Sequence, residues 1–230
     1  MDRSEVSKLT RLEERHWWYA ERRHILARLI EGLAPGRALD IGAAGGGNTR
    51  VLRDRGWQAV ALEYTRDGAA EAATRGLPVT RADATSLPFA TGSLDLVMAF
   101  DLLEHLGDDA ACVREVHRLL RPRGTFLVAV PVDMALWSEH DVAVGHVRRY
   151  TRGQIRNLLQ AGGFQVERRF AWNVLLRPVV AIRRRSSRGS DLEELHPLVN
   201  LALRAVVAVE RHLPVRDLPG VTEFLVARRR

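Results

Sequence analysis

The chain has 230 residues, 46% of them hydrophobic, which is enough to bury one sizeable core and gives no sign of disorder. A single cysteine, Cys112, excludes a disulfide framework and a multi-cysteine metal site, and fits a reducing cytoplasm. The net charge of +7 is almost all arginine, Lys8 being the only lysine; GC-rich coding produces that bias without any partner, so no nucleic-acid partner is expected.

The first residues, Met1-Asp2-Arg3-Ser4-Glu5, are charged and lead into no apolar targeting segment. No later apolar run approaches the roughly 20 residues of a membrane span, so neither export nor insertion is expected. Glu13 to Leu33 reads as a helical stretch carrying the aromatic cluster His16-Trp17-Trp18-Tyr19, followed by Arg22-Arg23.

From about Arg37 to Gly163, apolar runs alternate with helical patterns, the mark of repeated βα units and a parallel sheet. Strands are expected at Ala38–Gly42, Gln58–Glu63, Pro78–Ala82, Leu94–Phe100 and Thr125–Pro131. Helices are expected near Asn48–Arg55, Asp67–Arg75, Asp108–Leu120 and Arg152–Gln160. Gly36, Gly56, Gly76-Leu77-Pro78, Thr91-Gly92-Ser93, Pro122-Arg123-Gly124 and Gly162-Gly163 punctuate them. Phe164–Trp172 and Thr222–Ala227 read as two further strands, separated by Asn173 to Pro219, a basic and partly helical insertion. One domain over 1–230 is expected: a helical lid at 1–34, a core at 35–172, a helical cap at 173–219 and a last strand at 220–230.

The segment Ala38-Leu39-Asp40-Ile41-Gly42-Ala43-Ala44-Gly45-Gly46-Gly47-Asn48-Thr49 is an apolar strand running into a glycine-rich turn that opens a helix. Glycines let backbone approach a ligand closely. The dinucleotide fingerprint G-x-G-x-x-G fails because Ala44 takes its second glycine position. Asp40, at the strand's end, suits a cationic amino-acid moiety, as on a sulfonium cofactor, better than a pyrophosphate. One strand on, Glu63 can accept both hydroxyls of a ribose, a geometry that nicotinamide enzymes share. Asp83 ends the third strand, where its carboxylate can accept from an adenine amino group while the Ala84 N–H donates to a ring nitrogen. Each acid taken alone also suits a helix cap.

Through Leu39-Asp40-Ile41-Gly42-Ala43-Ala44-Gly45-Gly46, Glu63, Asp83-Ala84-Thr85-Ser86-Leu87-Pro88-Phe89, Ser93-Leu94-Asp95-Leu96-Val97, Asp101-Leu102-Leu103-Glu104-His105-Leu106 and Leu120-Arg121-Pro122-Arg123-Gly124, the sequence resembles class I S-adenosylmethionine-dependent methyltransferases of the bacterial small-molecule type. The departure is Ala44, where that family often has glycine. The resemblance implies an α/β, Rossmann-like sheet of seven strands, mostly parallel with the last antiparallel, with helices on both faces. It implies S-adenosyl-L-methionine bound across the strand C-termini and S-adenosyl-L-homocysteine as product. Asp40 and the turn through Gly42, Ala44 and Gly46 would hold the methionine part, Glu63 and Tyr64 would lie at the ribose, and Asp83 with Ala84 at the adenine. Phe100 and Asp101 would lie beside the methionine. The N-terminal cluster looks like a lid of that family, with Trp18, Tyr19 and Arg23 on the cofactor and Trp17 toward substrate.

Sulfonium methyl transfer needs positioning and, for some acceptors, a base. His105, His140, His146 and Tyr150 are the catalytic candidates, and Asp141, Arg148 and Arg149 the substrate-binding ones, because a histidine takes a proton near neutral pH and arginines orient acidic substrates. Glu104, His105, His140 and Asp141 are residue types that ligate metals, but their spacing gives little support and no metal is expected. A small-molecule hydroxyl is the expected acceptor. Rival readings are a lipid or isoprenoid acceptor reached through weak membrane-surface contact of 173–219, a non-catalytic cofactor-binding partner protein, and a nicotinamide oxidoreductase. Monomer and homodimer both stay open.

Overall fold

The structure, a computed structural model, describes residues 12–186 and 195–230. The start of the expected lid and part of the expected cap, residues 1–11 and 187–194, lie outside the described residues. The expected helical stretch is interrupted at His16, which follows helical residues 12–15, sits in extended backbone and caps helix α1 (Trp17–Leu29), its Nδ1 accepting from the Trp18 backbone N–H.

Strand β1 (Arg37–Ile41) lies at the centre of the sheet between β2 (Gln58–Glu63) and β4 (Leu94–Phe100), parallel to both. Beyond β2 comes β3 (Val79–Arg81); beyond β4 come β5 (Leu120–Pro131), β7 (Thr222–Arg229) and β6 (Phe164–Trp172). The order β3-β2-β1-β4-β5-β7-β6 has one reversed strand, β7, which runs antiparallel to both neighbours. The last strand is therefore the antiparallel one, as the resemblance implies.

The crossover helices are α2 (Gly47–Asp54), α3 (Arg66–Thr74), α4 (Asp109–Leu119) and α6 (Arg152–Ala161); a short α5 (Glu139–Ala143) follows β5. Side chains alternate across β4, so the two faces carry separate cores. Val97 and Ala99 pack with Val113 and Val116 of α4 and Ile155 and Leu159 of α6. Leu96 and Met98 pack on the other face with Leu26 of α1, Leu52 of α2 and Val207 of α8 (Pro197–Glu210). In the insertion α8 is preceded by α7 (Arg177–Ser186).

Among the strands, the start of β5 departs most from the expectation. Leu120 already pairs with Leu94, so β5 begins before Pro122-Arg123-Gly124 instead of after it. The punctuation survives as an irregularity inside the strand, with Arg123 in the left-handed region at φ 65°. Among the described residues, no helix is long and apolar enough to cross a membrane.

Candidate active site

The strand ends and the turns that follow them form one continuous edge. At the end of β1, Gly42 (φ 75°), Ala44 (φ 47°) and Gly46 (φ 78°) all have left-handed backbone, and the turn closes back on β2, where the Gly42 N–H donates to the Leu62 carbonyl at 2.9 Å. A Cβ on Gly46 would stand 2.1 Å from Leu77 Cδ1, the movable end of a side chain, and φ is the firmer constraint on this glycine. The Ala44 N–H donates to Glu63 Oε1 at 2.5 Å, which ties the turn to the acid at the end of β2. Burial raises the Glu63 pKa, against the pull of the backbone N–H groups aimed at it. Tyr64 beside it is 71% exposed.

Asp40 is buried beneath the turn. Its Oδ2 accepts from the Thr49 hydroxyl at 2.7 Å, linking the strand to the first turn of α2, and burial pushes its pKa up to about 7. Asp83 is exposed, and one oxygen accepts both the Thr85 N–H at 2.8 Å and the Thr85 hydroxyl at 2.7 Å; these bonds lower its pKa. Ala84 is buried in the core next to it.

The N-terminal segment lies over this edge through a residue the sequence did not single out. Glu13 Oε1 accepts from the Gly47 N–H at 3.0 Å, at the start of α2, and its Oε2 pairs with Arg75 Nη1 at 3.0 Å. The same Arg75 nitrogen donates to the Gly45 carbonyl at 2.9 Å, while Arg23 donates to the Glu13 carbonyl at 2.7 Å. Arg23 therefore holds the segment that covers the turn. It is the neighbouring Arg22 that enters the site.

Arg22 is fully buried and forms an ion pair with Asp101 at the end of β4. Its guanidinium lies 4.2 Å from the Trp18 ring centre and within 5.6 Å of those of Phe100, Trp172 and Phe224. Burial raises the Asp101 pKa and Arg22 opposes it, while Asp101 itself has left-handed backbone at φ 53°. Trp17 is buried beside Trp172, its backbone N–H donating to Asn200 Oδ1 at 2.7 Å, so it packs α1 onto α8. Tyr19 stands edge-on to Trp18 at 4.9 Å, and burial raises its pKa. The Phe100 ring is buried edge-on to Phe224, so any contact with a ligand would come from its backbone.

After β4 and β5 the chain brings a second group together. His146 Nδ1 is 2.8 Å from Asp141 Oδ1, which fixes the ring so that Nε2 lies 3.9 Å from Glu104 Oε1. His105 stands edge-on to His146 at 4.7 Å, with its Nδ1 3.2 Å from the Gly145 carbonyl. His140 is buried, its ring 6.3 Å from that of His146. Glu104 is fully buried, and among the described residues neither of its carboxylate oxygens has a hydrogen-bond partner. Burial and the nearby Asp101 push its pKa well up.

The remaining candidates brace this loop. Arg149 is buried and pairs with Asp141 Oδ1 at 2.8 Å. Tyr150 and Arg148 both meet Asp109 Oδ2, at 2.6 Å each, at the start of α4. The Tyr150 phenol is buried with its proton directed at a carboxylate, which raises its pKa.

Residues 39–128 match the family described as methyltransferase domain. A probable S-adenosylmethionine-dependent methyltransferase of Mycolicibacterium smegmatis is 28% identical over 160 residues, covering 68% of this chain and 62% of that protein. A demethylmenaquinone methyltransferase of Mycolicibacterium paratuberculosis is 32% identical over 117 residues, or 50% of this chain and 48% of that one. The chain thus spans between about half and three fifths of these relatives' lengths. Among solved structures, an S-adenosylmethionine-dependent methyltransferase of Mesorhizobium loti superposes with a TM-score of 0.62 at 21% identity, covering 88% of this chain and 95% of that one. With the strand order and the glycine-rich turn, these matches make the chain similar to class I S-adenosylmethionine-dependent methyltransferases, in sequence over residues 39–128 and in the fold of the sheet.

Proposed function

We propose that the protein transfers a methyl group from S-adenosylmethionine to a hydroxyl of a small molecule. The observation that carries this reading is the meeting, along one edge of the sheet, of a glycine-built cradle with two acids at strand ends and, beyond Asp101, a histidine oriented by a buried aspartate. Open α/β sheets bind their ligands at this edge.

The residues fit the cofactor. The left-handed backbone from Gly42 to Gly46 keeps the turn low, and Glu63 retains an oxygen that Ala44 does not use. The buried Arg22 Nη1 has no hydrogen-bond partner among the described residues, so the N-terminal helix holds a donor in reserve for a carboxylate. Glu63 would take the ribose and Asp83 with Ala84 the adenine, while the turn and the Phe100–Asp101 backbone would flank the methionine. Asp40 acts from beneath, fixing the turn through its hydrogen bond with Thr49. When bound, S-adenosylmethionine supplies an activated methyl on a sulfonium, so the protein's own part is positioning and proton removal.

His146 is the proton acceptor in this reading. Asp141 holds its Nδ1, which leaves Nε2 free to accept a proton from the acceptor hydroxyl and stabilises the imidazolium that results. Arg149 and Tyr150 are positioning residues: Arg149 pins Asp141, and Tyr150 pins the loop to α4. The test is a labelled-methyl transfer assay over panels of hydroxyl, amine and carboxylate acceptors. Transfer to hydroxyls that falls in His146→Ala supports the reading; transfer to amines alone contradicts it.

A second reading is favoured by the insertion, where Val179, Ile182, Leu198 and Leu201 are each more than half exposed. Apolar side chains on two helices, in a chain of charge +7, suit weak contact with an anionic bilayer and a lipid acceptor. Flotation with anionic liposomes, compared with zwitterionic ones, separates this from a hydroxyl acceptor in solution.

A further inference from the structure

The proposed function leaves Glu104 without work. It is a fully buried carboxylate whose two oxygens receive no hydrogen bond among the described residues, 3.9 Å from His146 Nε2. A buried carboxylate in this state is costly to ionise, and natural sites meet that cost with a proton, a partner or a metal. Ligand atoms of Glu104, His105 and His146 lie within 4.8 Å of one another. The second shell is as telling as the first. His146 has its Nδ1 on the Asp141 carboxylate and His105 has its Nδ1 at the Gly145 carbonyl, so both rings turn Nε2 away from the protein partners that fix their tautomer. Metal-binding histidines are held in this way.

We propose that Glu104, His105 and His146 bind a divalent transition-metal cation at the acceptor end of the site. Two imidazoles and one carboxylate select zinc, manganese, iron(II) or cobalt(II) over calcium and magnesium, which prefer all-oxygen shells. Three protein ligands leave coordination positions open, as in catalytic metal sites. Bond lengths near 2.0–2.2 Å require the three ligand atoms to close to roughly 3–3.5 Å from one another. His146 stands on a loop, while His105 ends a short 3-10 turn (Leu103–His105) and faces solvent, which gives the cation a way in.

The cation site rests on the proposed acceptor end and changes its chemistry. With both imidazoles ligated, neither takes up a proton, and an acceptor hydroxyl coordinated at an open position would be activated by the fall in its pKa. An acceptor with two adjacent oxygens, such as a catechol or a vicinal diol, is the class best suited to chelate there.

The experiment uses cobalt(II) as probe on chelator-treated, dialysed protein, followed by visible absorption and calorimetry, with S-adenosylmethionine titrated separately. The expected result is one cobalt per chain with ligand-field absorption, and loss of tenfold or more in affinity in Glu104→Gln and in His105→Ala. Wild-type protein should also show two paramagnetically shifted imidazole N–H signals, a readout that needs no variant. No stoichiometric binding, or binding undiminished in both variants, overturns the cation site. Protein that binds S-adenosylmethionine but no cobalt leaves the methyl-transfer reading standing with His146 as base. Protein that binds cobalt at this cluster but no S-adenosylmethionine upholds the site and counts against that reading.

Discussion

Arg22 and Asp101 meet between the first helix and the end of the fourth strand, the arginine wholly buried under Trp18 and the carboxylate on a residue with left-handed backbone. This pair joins the N-terminal segment to the edge of the sheet where the proposed cofactor would lie. Arg22→Ala leaves Asp101 without its cation and opens a void among four rings. A loss of about 3 kcal/mol is expected in urea unfolding, with weaker cofactor binding in the same variant. A midpoint equal to wild type would show that the pair does not hold the lid.

Asp40 predicts a pH dependence of stability. Its folded-state pKa is raised to about 7 from an ordinary 3.8, so the fold favours the protonated form. The stabilisation is complete below pH 3.8, erodes as pH rises and is lost through pH 7. Asp40→Asn keeps an acceptor for Thr49 and has no charge to bury. In urea unfolding it should be more stable than wild type at pH 8, by roughly 1–3 kcal/mol, with the gap closing toward pH 4. A gap that is constant with pH would contradict the buried-carboxylate account.

Gly46 is constrained twice, by its φ of 78° and by Leu77 at 2.1 Å from the position of a Cβ. Gly46→Ala should cost about 1–3 kcal/mol. Because the clash is with the end of a side chain, Leu77→Ala in the same protein should recover part of it beyond additivity, which a double-mutant cycle of thermal unfolding measures. Strict additivity would mean that backbone conformation alone sets the cost.

The dyad of His146 and Asp141 should separate turnover from binding. His146→Ala is expected to lower kcat by about 10²–10⁴-fold, with S-adenosylmethionine affinity within a factor of a few of wild type. Asp141→Asn should lower it less, since Nδ1 keeps a neighbour but the ring is held less firmly. Steady-state rates across pH 5–9 decide this, and full activity in His146→Ala would remove the base.

Much of the sheet was legible because a doubly covered parallel sheet makes its strands near-continuous apolar runs. Phe164–Trp172 begins and ends where the sequence places it, and Asp40, Glu63 and Asp83 fall at or just beyond strand ends. The site was less legible. Glu13 acts on Gly47 only because the N-terminal segment folds back over the turn, a contact across 34 positions with no local pattern. The choice between Arg22 and Arg23 did leave a trace: Arg22 shares a helical stripe with Ile25, Leu26 and Leu29, and that face is buried. His146 reaches Glu104 and His105 through a loop on the far side of β5, a meeting that no spacing in the sequence reveals.

Calorimetric titration of the purified protein with S-adenosylmethionine and S-adenosylhomocysteine, beside Glu63→Gln, tests the central claim most directly. The account predicts micromolar binding of both, weakened tenfold or more in the variant while its thermal unfolding stays that of wild type. Absence of binding to either, or equal binding by the variant, would contradict a cofactor seated on the strand ends.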